Sequence, residues 1–348
     1  TLNSHPVCEN RFWSDTGVIF VDRNHRNAIV EAIGISGDGM GILANWWLND
    51  ERIAFYRSTG TNIPIWEYPG EFIWNYGGHW VGISQEATAL SAGSDQKAYK
   101  WSRLSSTPDW TYSYPQLANS CVLVAKDGSK VAAATSSGIL YMFDALTGEV
   151  LWTATFNEGN RLQGLDLNPD GSIVVVTVYD SCFVFENGMR RAGISIGSYY
   201  TGTQYPAKIC ADGHLLVTGD YHGYVKLYRF GGGRYNLVWQ RFIGTPWVTD
   251  VAISDDGSTI LAGTGYANGK VCLFDSSSSH PRWQYQGYGG YGALIASVAL
   301  SADGGRAAVA CWGDTALTGT TYVLTVHDRN SAQPIFGITR DEEPGSLF

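Results

Sequence analysis

The stretch VLVAKDGSKVAAATSSGILYMFDALTGEVLW, residues 122–152, decides how this chain folds. It contains four short runs rich in valine, alanine and aromatic residues, and the polar segments KDG, SSG and ALTG separate them. Runs of about four to eight such residues, bounded by glycine and aspartate, indicate β-strands rather than helices. One four-stranded unit cannot bury both of its faces, so a stable fold requires neighbouring units of the same kind.

The unit recurs along most of the chain. An Asp-Gly turn follows the first strand of six units, and its glycine is Gly39, Gly128, Gly171, Gly213, Gly257 or Gly304. From Gly128 onward these glycines are 42–47 residues apart. The interval between Gly39 and Gly128 has room for one further unit, in which Gln85, Glu86 and Ala87 replace the turn. The chain therefore contains seven units.

Two further positions recur in phase with the turns. The third strand of each unit ends with a ring-bearing residue: Tyr56, Trp101, Phe143, Phe185, Tyr228, Phe274 and His327. The fourth strand carries an aromatic residue in six units: Trp66, Trp110, Trp152, Trp239, Trp283 and Phe336. The fourth unit, with MRRAGISIG, lacks it. Three positions in phase exclude a chance pattern.

Seven four-stranded units of about 40–45 residues predict an all-β fold, a seven-bladed β-propeller of antiparallel blades. The sequence resembles the WD-repeat superfamily in its broad sense, because Phe143-Asp144 and Phe274-Asp275 stand where that family places Trp-Asp. LTGEVLW, residues 146–152, is similar to the fourth-strand motif of quinoprotein-type propeller repeats. The Gly-His dipeptide of the WD family, and the buried histidine network to which it belongs, are missing. The resemblance implies the fold and leaves function open.

The predicted organisation is an N-terminal segment (1–30), a propeller (31–339) and a short tail (340–348). The N-terminal segment contains TGVIFVD, residues 16–22, which predicts one strand. In a closed propeller such a segment often joins the last blade and closes the ring. Residues 293–339 already supply four strands to the seventh blade, so two other interpretations stay open: a fifth, outer strand, or strand addition to a neighbouring molecule.

Composition narrows the classes of function. Charged residues make up only 16% of the chain, whereas glycine (42), tyrosine (20) and tryptophan (13) are abundant. The net charge of −9 argues against a nucleic-acid partner, because phosphate binding requires clustered lysine and arginine. No apolar run is long enough to span a membrane. The composition favours a secreted protein, extracellular or at the cell surface.

Six cysteines are present and none forms a C-x-x-C pair, so neither a zinc site nor a thioredoxin-like site is predicted. A small buried residue inside a strand is the simplest interpretation of each. Disulfides would persist in an extracellular setting. The predicted pairings between adjacent blades are then Cys182 with Cys210 and Cys272 with Cys311.

Aromatic residues concentrate on one predicted face. In a propeller, the loops between strands 2 and 3 and between successive blades share that face. Ten aromatic residues in these loops are candidate binding residues: Trp46, Trp47, Trp74, Tyr76, Tyr179, Tyr200, Tyr221, Tyr266, Tyr291 and Trp312. Tyr112, Tyr114, Trp247 and Tyr288 belong to the same set. Exposed tyrosine and tryptophan suit protein interfaces and stacking on sugars. The alternative for any one of them is packing between blades.

Catalytic patterns are weak. The seven histidines have no metal-binding spacing, and neither G-x-S-x-G nor S-x-x-K occurs, so no catalytic residue is predicted. Four loop carboxylates form a weak candidate set for Ca²⁺: Asp180, Asp220, Asp250 and Asp314. No D-x-D-x-D-G loop accompanies them, and such carboxylates usually cap backbone amides. No cofactor is otherwise expected.

These observations favour a non-enzymatic role. We expect a structural or interaction module with protein partners, including copies of itself, that self-assembles through the aromatic face and the N-terminal strand. A lectin-like propeller that binds glycans is the first alternative, since it would use the same aromatic residues. A propeller enzyme, or the propeller subunit of a redox enzyme, is the second.

Overall fold

The computed structural model describes residues 10–12, 20–22, 29–36, 41–47, 52–57, 64–69, 81–93, 96–116, 120–156, 162–178, 180–196, 207–244, 247–265, 269–289, 293–311 and 322–339. Within them the chain forms seven four-stranded antiparallel sheets and no helix, which confirms the prediction of an all-β, seven-bladed β-propeller. The described residues accordingly hold no helix that could cross a membrane. The chain divides into two compact units, Thr1–Ser172 with Glu343–Phe348, and Ile173–Glu342.

The strands follow the chain order within every sheet. The N-terminal segment contains β1 (Asn10–Phe12) and β2 (Phe20–Asp22). Blade 1 is β3 (Ile29–Ile35), β4 (Gly41–Trp47), β5 (Arg52–Arg57) and β6 (Trp66–Pro69). Blade 2 is β7 (Val81–Ile83), β8 (Leu90–Gly93), β9 (Lys97–Trp101) and β10 (Trp110–Ser113). Blade 3 is β11 (Ser120–Val124), β12 (Lys130–Thr135), β13 (Ile139–Asp144) and β14 (Val150–Thr155).

The remaining four blades repeat the pattern. Blade 4 is β15 (Leu162–Leu167), β16 (Ile173–Val178), β17 (Ser181–Glu186) and β18 (Met189–Ser195). Blade 5 is β19 (Ala207–Ile209), β20 (Leu215–Gly219), β21 (Tyr224–Gly231) and β22 (Arg234–Phe242). Blade 6 is β23 (Val248–Ile253), β24 (Thr259–Thr264), β25 (Val271–Asp275) and β26 (Pro281–Tyr285). Blade 7 is β27 (Ile295–Leu300), β28 (Arg306–Cys311), β29 (Tyr322–Asp328) and β30 (Pro334–Thr339).

The N-terminal segment differs from its prediction in one respect. It contains two short strands rather than one, and β1 pairs with β2 from Asn10 opposite Asp22 to Phe12 opposite Phe20. Within the described residues these two strands form a sheet of their own. The structure therefore gives no fifth strand to a blade in this part of the chain.

Burial explains why the second and third strands have continuous apolar sequences. Every residue of β16 and β24 is buried, and β24 packs against blade 5 on one face and blade 7 on the other. The fourth strands lie at the sheet edge and alternate instead, as in β14. The core therefore consists of layers between adjacent blades, such as the layer of Val131, Ala133 and Phe143 that Trp110 and Tyr112 of blade 2 cover.

The Asp-Gly turns share one hydrogen-bonding pattern. In blade 6, Asp256 Oδ1 accepts hydrogen bonds from the Ser258 amide (2.8 Å) and the Ser254 hydroxyl (2.5 Å). The Gly257 amide donates to Ser254 O (2.9 Å), with Gly257 at a φ of 71° that favours glycine. Positive φ recurs at Gly128, Gly171, Gly213 and Gly304. These aspartates thus organise the turn by accepting hydrogen bonds from its backbone amides.

The turn predicted in blade 2 without glycine has the same form. Ala87 adopts a φ of 53°, and its amide donates to Ser84 O at 3.0 Å. Ser84 Oγ accepts the Ala89 amide at 3.0 Å, as the corresponding serine does in blade 6. The assignment of residues 85–87 as a degenerate turn is therefore confirmed.

In blades 1, 2, 5 and 6 the fourth-strand tryptophan connects its blade to the next. Its indole Nε1 donates to a carbonyl just after the third strand of the following blade: Trp66 to Arg103 (3.2 Å), Trp110 to Ala145 (3.0 Å), Trp239 to Ser276 (2.9 Å) and Trp283 to Arg329 (3.0 Å). A large apolar ring and a satisfied N–H at one position explain why tryptophan recurs there.

Blade 4 has no tryptophan in its fourth strand, and other side chains fill the corresponding space. Ala192 lies opposite Val184, in the register position that the tryptophan occupies elsewhere. The space towards blade 5 holds Arg191, whose guanidinium carbon lies 3.8 Å from the centroid of the Phe230 ring. Tyr235 adds a hydrogen bond from its hydroxyl to Gly213 O at 2.6 Å. A cation–π contact thus replaces the indole.

A buried histidine network lies between blades 6 and 7, built on the third-strand His327 rather than on a Gly-His dipeptide. His327 is fully buried; its Nδ1 lies 2.9 Å from Ala332 O and its Nε2 lies 2.8 Å from Thr325 Oγ1. Since a carbonyl only accepts, Nδ1 carries the proton and Nε2 accepts from Thr325, which in turn accepts from Tyr288 OH at 2.7 Å. This arrangement of donors and acceptors corresponds to a neutral imidazole.

This network makes stability depend on pH. Burial lowers the pKa of His327 below its ordinary value, although the hydrogen bond with Ala332 O acts in the opposite direction. The unfolded chain therefore binds the extra proton first, and the free energy of unfolding falls as the pH drops below about 6.5, by at most about 1.4 kcal/mol per pH unit from this residue. His327→Phe removes that contribution and keeps a ring at the position.

We expect the stability difference between the wild-type protein and His327→Phe to shrink as the pH falls from about 7.5 to about 5. Urea unfolding at a series of pH values measures it. Titration of other groups is shared by both proteins and cancels in the difference. A difference that stays constant over this range would show that His327 does not titrate between the two states.

Candidate functional site

Most of the predicted aromatic face falls outside the described part of the chain. Seven of its ten residues lie there: Trp74, Tyr76, Tyr179, Tyr200, Tyr266, Tyr291 and Trp312. Trp46 and Trp47 end strand β4, and their side chains are also outside the description. Tyr221 is the member whose surroundings the structure gives, together with Tyr112, Tyr114, Trp247 and Tyr288 from the wider set.

Two residues of the wider set are core residues instead. Tyr114 is 8% exposed and packs against Tyr141 (ring centroids 5.4 Å apart) between blades 2 and 3. Tyr288 is fully buried in the His327 network between blades 6 and 7. Burial raises the pKa of both hydroxyls. For these two tyrosines the alternative interpretation, packing between blades, is the correct one.

Tyr221, His222 and Trp247 form a cluster that we call the aromatic cluster. Tyr221 belongs to the loop between β20 and β21, and Trp247 directly precedes β23 of the next blade. The Tyr221 and Trp247 rings are stacked, with centroids 5.6 Å apart and planes 23° apart. His222 meets Tyr221 edge-on at 5.9 Å, and its side chain is exposed whereas the two larger rings are half-buried. The cluster is a surface feature built on two blades.

Asp220 positions this cluster. It is 3% exposed, and its Oδ1 accepts the amides of His222 (3.0 Å) and Tyr224 (2.8 Å), which fixes the loop that carries Tyr221. Its carbonyl oxygen accepts the amide of Val248 (2.9 Å), the residue after Trp247. One buried residue therefore holds both halves of the Tyr221–Trp247 stack in register.

A lysine neutralises the Asp220 carboxylate. Lys226 Nζ lies 2.8 Å from Asp220 Oδ2 and donates a further hydrogen bond to Ile196 O at 2.9 Å. The side chains are 14% and 3% exposed, so this is a largely buried ion pair. Because Ile196 follows the last strand of blade 4, the pair connects three successive blades beneath the aromatic cluster.

The turn next to the cluster is too tight for any side chain. Gly223 has a φ of 82°, and a Cβ there would lie 1.9 Å from Gly244 O. The Gly223 carbonyl accepts the Ile243 amide at 2.9 Å. Beside this turn Phe242 is 47% exposed and packs against Tyr224 at 5.5 Å. Phe242 therefore exposes apolar surface at the end of β22.

The carboxylates suggested for Ca²⁺ are occupied by protein donors where the structure describes them. Asp180 Oδ1 accepts the Ser181 hydroxyl at 2.9 Å, and Asp250 Oδ2 accepts the Val298 amide (2.9 Å) and the Ser297 hydroxyl (3.0 Å). In the described ranges no three histidine, cysteine or acidic side chains are grouped as metal ligands would be. Asp314 lies outside the described residues.

The predicted disulfides are not formed in the structure. Cys182, Cys210, Cys272 and Cys311 are all buried thiols outside any disulfide, as is Cys121. Cys210 takes the place that serine has in other turns: its Sγ donates to Asp212 Oδ1 (3.0 Å) and accepts the Leu215 amide (3.1 Å). Burial raises the pKa of Cys210 and of Cys272 to about 11, which keeps both thiols protonated near neutral pH.

Comparison with known families adds one match. The model of the WD domain, G-beta repeat, family matches residues 239–275. This segment runs from the fourth-strand Trp239 of blade 5 to the Phe274-Asp275 pair of blade 6, and it includes Trp247. No curated protein matches the chain. Together with the seven four-stranded sheets, the match makes the chain a WD-repeat-like β-propeller.

Sequence reasoning placed Tyr221 and Trp247 on one surface but missed what holds them together. The available signal was Lys226, a lone charge within the apolar strand YVKLY. A charge at such a position requires a buried partner. That partner is Asp220, six residues earlier across the turn, which the sequence pattern had suggested only as a candidate ligand for Ca²⁺.

Proposed function

We propose that this chain is a non-enzymatic interaction module that binds proteins through the aromatic cluster. The observation that carries the proposal is the stacked Tyr221–Trp247 pair beside the exposed His222, fixed by the buried Asp220. Aromatic residues that a rigid framework holds in place lose little entropy on binding and dominate many interfaces. WD-repeat propellers commonly act in this way, which agrees with the family match around Trp247.

In its specific form, the proposal is self-assembly of a secreted structural protein. The chain combines low charge with abundant aromatic residues, and β1 and β2 pair with each other in the described N-terminal segment. Contacts between the aromatic cluster of one copy and another surface of the next would generate a filament if they do not close. The extracellular location rests on composition alone, because the described cysteines form no disulfide.

Self-association tests this form directly. We expect light scattering of the wild-type protein to show mass that rises with concentration, and Trp247→Ala to weaken the association by about tenfold or more. Leu104→Ala is the matched control, since Leu104 is 84% exposed and belongs to blade 2, which contributes no residue to the cluster. A truncation lacking residues 1–30 tests the N-terminal contribution. A wild-type chain that stays monomeric at high concentration would contradict self-assembly.

Carbohydrate binding is the second candidate, and the geometry of the stack favours testing it. Tyr221 stacks on one face of the half-buried Trp247 indole. A sugar ring could stack on the opposite face of that indole. Glycan-array binding by the wild-type protein that is lost in Trp247→Ala would support this function. Binding that survives the substitution would exclude this site.

A further inference from the structure

We propose that the fourth strand of blade 5, β22 (Arg234–Phe242), is a docking edge for an extended acidic segment of a partner protein, which adds to the sheet as a fifth strand. This site is separate from the aromatic cluster and lies along the edge of a sheet. Its case rests on the length of β22, the apolar side chains that it exposes, and the charge of its hairpin.

Strand β22 is the longest of the seven fourth strands. It has nine residues, whereas the others have four to seven. It pairs with β21 on one side, and its other edge pairs with no strand among the described residues. Long exposed edges offer unpaired N–H and C=O groups to another chain, and proteins usually shorten or cover them.

The edge also exposes apolar side chains. The register shifts by one residue between Leu227 and Tyr228, which lie opposite Trp239 and Leu237, so Val238 is an extra residue on β22. Two consecutive side chains consequently face solvent: Leu237 is 51% exposed and Val238 is 44% exposed. An added strand would cover both.

The charge around this edge is opposite to that of the whole chain. No acidic residue occurs between Asp220 and Asp250, although the chain carries a net charge of −9. Four basic residues lie in this interval: Lys226, Arg229, Arg234 and Arg241. Lys226 is paired with Asp220, but the three arginines are exposed and form no ion pair within the described residues. Basic residues beside an apolar edge select an acidic, extended segment.

The tip of the hairpin leaves room for a second backbone. Gly232 and Gly233 have positive φ (64° and 77°), which the turn requires. Gly231 does not, and no atom lies within 4 Å of the position that its Cβ would occupy. Nothing within the described fold therefore requires glycine at this position, whereas close approach of a partner backbone would.

A model peptide tests the proposal on the full chain. The probe is a fluorescent peptide of about ten residues that alternates glutamate and valine, matching the two-residue period of a strand. We expect it to bind and to protect amides of residues 234–242 from hydrogen exchange. Arg234→Glu with Arg241→Glu should weaken binding on the order of tenfold or more, whereas Arg103→Glu, an exposed arginine of blade 2, should not.

Several results would overturn the proposal. One is equal binding of a peptide with lysine in place of glutamate, because charge would then not select the segment. Others are unchanged affinity in the double charge reversal, or protection that maps outside β22. Failure of the peptide to bind, with β22 instead protected by dimerisation of the protein, would assign the edge to a second copy. Trp247→Ala should leave peptide binding unchanged, which separates this site from the aromatic cluster.

Discussion

Trp283→Ala is expected to lower the free energy of unfolding by about 4 kcal/mol. The Trp283 ring is 8% exposed, stacks on His327 with centroids 5.1 Å apart, and belongs to the core between blades 6 and 7. Truncation leaves a cavity of nearly a whole indole and an unpaired Arg329 carbonyl, which accepts the indole N–H at 3.0 Å. Because the lost contacts lie between two blades, neighbouring side chains can fill little of the cavity.

Trp283→Phe separates the two contributions. Phenylalanine keeps most of the ring area and removes the hydrogen bond, so we expect a loss of about 1–2 kcal/mol. Urea unfolding of the wild-type protein and both variants measures the difference in midpoint and slope. A loss below about 1 kcal/mol in Trp283→Ala would show that the inter-blade tryptophan does not hold adjacent blades together.

The repeat was predictable because the same residue types recur in phase at three of its positions. The glycine of each Asp-Gly turn, such as Gly257 with its positive φ, is required by the backbone of that turn alone. The ring at the end of the third strand and the fourth-strand tryptophan pack between blades, but their residue types recur at a fixed spacing that the sequence alone displays. Blade number and strand order follow from these positions without knowledge of any contact between blades.

Contacts between distant residues were not predictable in the same way. Ala192 breaks the tryptophan pattern, and the sequence does not reveal that Arg191 of the same strand covers Phe230 some forty residues later. His327 stands where other blades have phenylalanine, tyrosine or tryptophan, and its partner Tyr288 precedes it by 39 residues. A single sequence shows which residue types are available for these networks, but it does not show which residues contact each other.

The sequence likewise could not predict which aromatic residues of the candidate site are exposed. Loop topology predicted that Tyr221 and Trp247 share a surface, because both lie in loops of the same kind in neighbouring blades. It could not separate them from Tyr114 and Tyr288, which occupy similar loops yet are buried. Exposure of a loop aromatic depends on whether a hydroxyl or ring finds a partner between blades, and that depends on side chains far away in the sequence.

Asp220→Ala is expected to lower the free energy of unfolding by about 3 kcal/mol and to release the Tyr221–Trp247 stack. The substitution leaves the ammonium group of Lys226, 14% exposed, without its carboxylate. It also removes the acceptor of the His222 and Tyr224 amides, which form bonds of 3.0 and 2.8 Å with Asp220 Oδ1. The near-ultraviolet circular dichroism of the stacked rings should decrease together with stability.

Asp220→Asn and a double-mutant cycle with Lys226→Met identify the cause. Asparagine keeps an oxygen for the two amides and loses only the charge, so the stack should survive while stability falls. If the cost of Asp220→Ala comes from the unpaired ammonium, adding Lys226→Met should recover part of it, and the coupling between the two substitutions should exceed about 1 kcal/mol. If the effects of the two substitutions are additive, the loss of stability in Asp220→Ala comes from the unpaired loop amides and not from the ammonium group. If the near-ultraviolet dichroism of Asp220→Ala is unchanged, Asp220 does not position the aromatic cluster.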